Sequence, residues 1–155
     1  MKRVFLVSAL FLIFAPMASA QNVVDIPDVT ENEWGEEVYA SPILVTREMA
    51  DDWEQGTQTP EATVIAFLIS KMREDDTWEA LKATELTPRN ERRFDDWPGL
   101  PLAEAELTRR HEYSPGFMEI HLDMGFQDGD RVRGWTDSFK LVEEADGWRI
   151  TESPD

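Results

Sequence analysis

The chain has no cysteine among its 155 residues, so a disulfide framework, a thiolate metal centre and a lipid-modified N-terminal cysteine are all ruled out. Positive charge is scarce as well: 15 lysines and arginines stand against 32 aspartates and glutamates. Nucleic acid and anionic membrane surfaces are therefore excluded as partners, because like charge repels at long range, while cationic proteins, peptides and metal ions are attracted. Long apolar runs are missing with one exception, the 11 residues from Val4 to Phe14. That run is well short of the roughly 20 residues a spanning helix needs, so stable membrane insertion is not expected. No phosphate loop, nucleophile elbow, zinc pair or dinucleotide fingerprint occurs, and no cofactor is expected. Asp128 and Asp130 begin like a calcium loop, but Val132 takes the next ligand position, Arg133 stands where glycine is required and Phe139 replaces the closing glutamate. That motif fails, and no metal site is assigned.

What is present begins with an address. Lys2-Arg3, the apolar run, Pro16 and the small residues Ala18-Ser19-Ala20 form a secretory signal, which predicts cleavage before Gln21 and a periplasmic or secreted protein. No twin-arginine pair precedes the run, so export in the unfolded state is expected. Removing residues 1–20 leaves 135 residues with 13 basic against 32 acidic, a formal balance of −19. One domain with one core fits that length.

Residues 21–56 are acidic and weakly patterned, and read as an arm tacked to the body by Trp34, Val38, Tyr39 and Ile43-Leu44-Val45. The domain proper is expected over 57–155. Thr59 caps and Pro60 opens a helix whose apolar face is Val64, Phe67, Leu68 and Met72. A second helix start falls at Asp76, with Glu79 completing a capping box, and a third at Thr87-Pro88, running to Phe94. Pro98-Gly99 ends this half. Four strands follow: Ala103 to Tyr113, Met118 to Phe126, Arg131 to Glu143, and a closing one with Trp148 and Ile150, joined at Ser114-Pro115-Gly116, Asp128-Gly129 and Asp146-Gly147. The predicted class is α+β, with three N-terminal helices packed on a curved four-strand antiparallel meander.

Hairpin register turns this pattern into a candidate site. An Asp128-Gly129 loop sets Leu122 opposite Trp135, Ile120 opposite Asp137 and Met124 opposite Arg133. A Pro115-Gly116 loop sets Tyr113, His111 and Arg109 opposite Met118, Ile120 and Leu122. Arg109, His111, Tyr113, Arg133 and Asp137 then share the inner face, where charges are paired, hydrated or used. In that arrangement His111 is a general base oriented by Asp137, with Tyr113 beside it, while Arg109 and Arg133 hold an anionic group and Trp135 lines the pocket. His121 falls on the opposite face with Glu119 and Asp123, a solvated strand surface.

The order of Thr59-Pro60-Glu61-Ala62, further helices and a long-stranded meander ending in Asp146-Gly147-Trp148-Arg149-Ile150 resembles the nuclear-transport-factor-2-like superfamily over Thr59 to Glu152. The resemblance implies a cone of sheet packed on helices with an internal pocket, and pairing of the outer sheet face with a second copy, burying Phe117 and His121. That superfamily includes ketosteroid-isomerase-like and dehydratase enzymes, noncatalytic binders and dimerisation modules, so fold alone does not choose among them. The leading expectation is an exported noncatalytic domain that binds a small ligand or a protein and self-associates. A small lyase or isomerase using His111 and Asp137 is the alternative, and an acidic partner or inhibitor of a cationic protein is a third.

Overall fold

The computed structural model describes residues 25–53 and 56–154. The signal-like segment Met1 to Ala20 lies outside the described residues. Six strands form one antiparallel sheet in sequential order: β1 (Val29–Glu31), β2 (Glu37–Thr46), β3 (Leu102–Ser114), β4 (Phe117–Asp128), β5 (Arg131–Glu144) and β6 (Gly147–Glu152). Between β2 and β3 run α1 (Arg47–Asp52), α2 (Pro60–Arg73), a 3-10 turn (Thr77–Leu81) and α3 (Pro88–Asp95).

This corrects the expected class. The sheet has six strands rather than four, and the helices follow the first two strands rather than opening the fold. The segment read as an arm supplies those two strands, with Tyr39 and Val45 buried but Trp34 and Leu44 exposed. Its alternation is hard to read because β2 carries a register irregularity between Val38 and Ile43, which breaks the period-two pattern within one strand. Pro42, which cannot donate to a ladder, falls inside that irregular stretch. The helix expected at Asp76 is a 3-10 turn whose Asp76 makes no side-chain cap.

α2 is the centre of the core. Thr59 accepts from the backbone N–H of Ala62 at 3.1 Å, and Pro60 fills the first turn, where its missing N–H is no loss. All of α2 is buried except Lys71 and Arg73, so the one apolar face visible in the sequence understates how fully neighbours surround it. Phe67 meets Phe139 of β5 at 5.0 Å and Trp78 at 5.7 Å between ring centroids, both edge to face. Phe67, Phe139, Ile120, Leu122 and Leu141 are all fully buried members of the core between helix and sheet. The helix ends at Glu74, whose left-handed φ of 58° turns its N–H back to Ser70 and Lys71 carbonyls.

Candidate functional site

Two irregularities in β3 decide where the chemistry lies. The Pro115-Gly116 turn forms as expected, with Ser114 opposite Phe117 and Gly116 at φ 79°. Register then slips by one residue between Ser114 and Glu112, and again between Arg109 and Leu107. A one-residue slip moves side chains to the other face, and a second slip restores them. Leu107 therefore lies opposite Leu122 on the helix side, while the short segment between the slips is inverted: Arg110 faces Ile120 inward, and Arg109 and His111 lie opposite His121 and Glu119 on the outer face.

The expected inner constellation is accordingly divided by the sheet. On β5, Asp137 lies opposite Leu122, Trp135 opposite Met124 and Arg133 opposite Phe126, one pairing step from the predicted register but on the predicted face. The turn is Gly129-Asp130, with Asp128 paired to Arg131, which accounts for the step. Asp137 accepts from its neighbour's N–H, Ser138, at 2.7 Å. Arg133 reaches Asp128 at 2.6 Å near the open end of the sheet, and half-exposed Trp135 stands edge-on to Phe126. His111 and Asp137, on opposite faces with β4 between their strands, do not make a general-base pair.

The outer face instead gathers Glu36, Arg109, His111, Tyr113, Glu119, His121 and Ser138. At its centre Glu119 is buried, accepting from Ser138 Oγ at 2.6 Å and from the Tyr113 hydroxyl. Burial works to raise its carboxyl, but those two donors outweigh it and hold the group below the usual carboxylate range. The same hydrogen bond pushes the Tyr113 phenol up to about 12. His121 Nε2 lies 3.8 Å from Glu119 and 3.9 Å from Glu36. Burial nevertheless draws its pKa down, with Glu119 opposing and Arg109 assisting, so the imidazole is neutral at pH 7.

A loop before β2 closes over this cluster. Asn32 hydrogen-bonds Glu36 through its amide, which lowers the Glu36 pKa, and Arg109 Nε stands 3.3 Å from the same carboxylate. His111 Nδ1 lies 3.2 Å from the Gly35 carbonyl and its ring meets Tyr113 edge-on at 4.5 Å. Around this clamp the surface is aromatic: Trp34 is 76% exposed, Tyr113 57% and Phe117 39%.

Behind the sheet, the inverted Arg110 completes a second polar group that residue patterns did not reveal. Glu61 of α2 is wholly buried; its Oε1 accepts from Tyr39 at 2.9 Å and from Arg110 at 2.8 Å, and Arg110 also binds Glu37. Glu61 stands in the first turn of α2, and its burial follows from β2 lying across the start of that helix. Burial and the neighbouring Glu61 carboxylate push the Tyr39 phenol far up, so it remains a hydrogen-bond donor. A charged pair at this depth is a positioning contact between helix and sheet, expensive to break and weak evidence of stability in itself.

Among the described residues, no group of three or more His, Asp or Glu is arranged to hold a metal ion, and no helix is long and apolar enough to cross a membrane. Set against protein-family models, curated proteins and solved structures, the chain gives no match in any of the three.

Proposed function

We propose that this chain is an exported, noncatalytic binding domain whose outer sheet face recognises a cationic segment of a protein partner. The observation that supports this best is the pairing of exposed Trp34, Tyr113 and Phe117 with a clamped acidic cluster beneath them. Exposed aromatics on a rigid base are the usual anchors of protein interfaces. Ring faces beside carboxylates favour arginine and lysine in particular, through cation–π contact and charge. Glu33 adds exposed acid beside Trp34, in keeping with an overall formal charge of −17. Kinship with the nuclear-transport-factor-2-like superfamily is part of this proposal through the capped helix and the closing Asp146 to Ile150 segment only.

Calorimetric titration with an arginine-rich synthetic peptide tests the reading. Binding should weaken steeply with salt, and Trp34→Ala or Tyr113→Ala should each cost about 1–2 kcal/mol of affinity. Binding that is absent at low salt, or indifferent to both substitutions, sinks it. Sedimentation across a concentration series separates the remaining occupant, a second copy of the chain: dimerisation lost in Phe117→Ala would assign the face to self-association instead.

A further inference from the structure

The last turn of α2 carries a lysine with no acid of its own. Among the described residues Lys82 is paired with Glu79 at 2.8 Å and Lys140 with Glu152 at 3.1 Å, but no carboxylate forms an ion pair with Lys71. In a chain with 32 acids and 15 bases, a half-buried cation left without a counter-ion is out of the ordinary. Aromatic faces hold its ammonium instead: Nζ lies 3.7 Å from the ring centroid of Trp78, 5.2 Å from Phe67 and 5.5 Å from Trp97. Rings favour the charged form and fix its position, but they offer no oxygen to accept from its N–H groups. Lys71 and Trp97 also line a pocket of about 320 Å3, with Glu74, Gly99, Leu100 and Pro101.

We propose that this pocket binds small organic anions, namely monocarboxylates with an aromatic or branched apolar body, through the Lys71 ammonium. The ammonium donates to the carboxylate, and Trp97, Leu100 and Pro101 wall the apolar body. The volume is at the small end for ligand pockets, which suits a single-ring acid rather than a larger molecule. Trp97 and Leu100 pack on the core, and Trp97 stands edge-on to Phe67 at 5.4 Å and to Phe126 at 5.7 Å, so the wall is in place before a ligand arrives.

Two features that oppose an anion are weakened here. Free carbonyls at a helix C-terminus repel negative charge, but those of Ser70, Lys71 and Met72 already accept from Asp75, Glu74 and Arg47. Glu74, the one acid in the lining, is exposed, where water and salt screen its repulsion. Burial draws the Lys71 pKa down from 10.5, with Lys82 assisting and Glu79, Asp76 and Asp95 opposing. An anion in the pocket offsets that loss of solvation, so a bound carboxylate and the charge on Lys71 support each other.

Calorimetric titration with 3-phenylpropionate, set against its neutral amide 3-phenylpropionamide, tests the proposal. The acid should bind at one site at least about tenfold more tightly than the amide, the factor that a hydrogen bond to a charged group supplies. Lys71→Met keeps the apolar stem and should bring the acid down to the affinity of the amide, while circular dichroism shows the fold intact. Trp97→Ala should weaken both compounds, and Glu74→Gln should tighten the acid alone. Equal affinities for acid and amide, no saturable binding of the acid up to about 10 mM, or unchanged acid affinity in Lys71→Met overturns the proposal. Because the unsubstituted protein supplies the comparison of acid with amide, the result stands even where a variant does not fold. It is also independent of the outer face, since Trp34→Ala and Phe117→Ala should leave it unchanged.

Discussion

The two faces of the sheet solve opposite problems with similar residues. Inward, Phe67, Phe139, Ile120 and Leu122 are sealed by α2, and the charges that enter, Glu61 and Arg110, are tied to each other. Outward, Glu119, His121 and Tyr113 form a polar layer with aromatic edges left exposed. The inner face holds the molecule together, while the outer face is built to be met by something else. Polar groups alone do not distinguish a site from a structural pair; what distinguishes these two is that the Glu61–Arg110 pair lies behind the sheet with Glu61 fully buried, whereas the Glu119 cluster has exposed Tyr113 and Phe117 on its own face.

Substitutions that treat the faces alike should expose the difference. The largest effect is expected at Phe139→Ala, about 4 kcal/mol of stability by urea unfolding, because the ring is fully buried against Phe67. Phe117→Ala on the outer face should cost less than about 1 kcal/mol, and equal losses would show that both faces are core. Next, Glu61→Ala should cost about 3 kcal/mol by leaving Arg110 and Tyr39 short of their buried acceptor. Glu119→Ala, which frees Ser138 and Tyr113 at a partly wetted surface, should cost about 1–2 kcal/mol. In the other direction, Glu74→Gly should stabilise the protein by about 1 kcal/mol by relieving a left-handed glutamate.

The smallest effect is a matter of pH, and it belongs to the outer face. His121 has its pKa lowered from 6.5 by burial, so its contribution is complete above that value and is lost as pH falls towards the folded-state one. Glu36 and Glu119, both held below 4.5, contribute stability above that value that is lost as pH falls through their folded-state values. Acid unfolding should therefore show a shallow decline beginning near neutrality before the carboxylate stage. His121→Gln should remove only the early part; an unchanged profile would mean that the imidazole is as free as in the unfolded chain.

Several elements were legible in the residues because their signals are local. Thr59-Pro60 starts α2 and Thr87-Pro88 starts α3, each threonine capping as expected. The alternation of Met118, Ile120, Leu122, Met124 and Phe126 marks the buried face of β4. The candidate site was less legible. Pro115-Gly116 gives the turn correctly, yet nothing in Arg109 to Tyr113 announces that register slips beside it. One displaced residue put Arg109, His111 and Tyr113 on the wrong face and hid Arg110. The first two strands were missed for a related reason: β2 carries its own register irregularity, and an acidic segment without clean alternation looks like an arm until β3 pairs with it.

Charge, the lack of cysteine, the helix starts and the parity of β4 and β5 are properties of residues and near neighbours, and the sequence by itself determined them. Which side of the sheet receives each group in β3, whether Glu61 meets water or Arg110, and that Lys71 rests among Trp78, Phe67 and Trp97 were decided only by tertiary structure. The physical reason is that a bulge costs little locally but inverts the side chains beyond it until a second slip restores them, so its position is set by how distant elements pack.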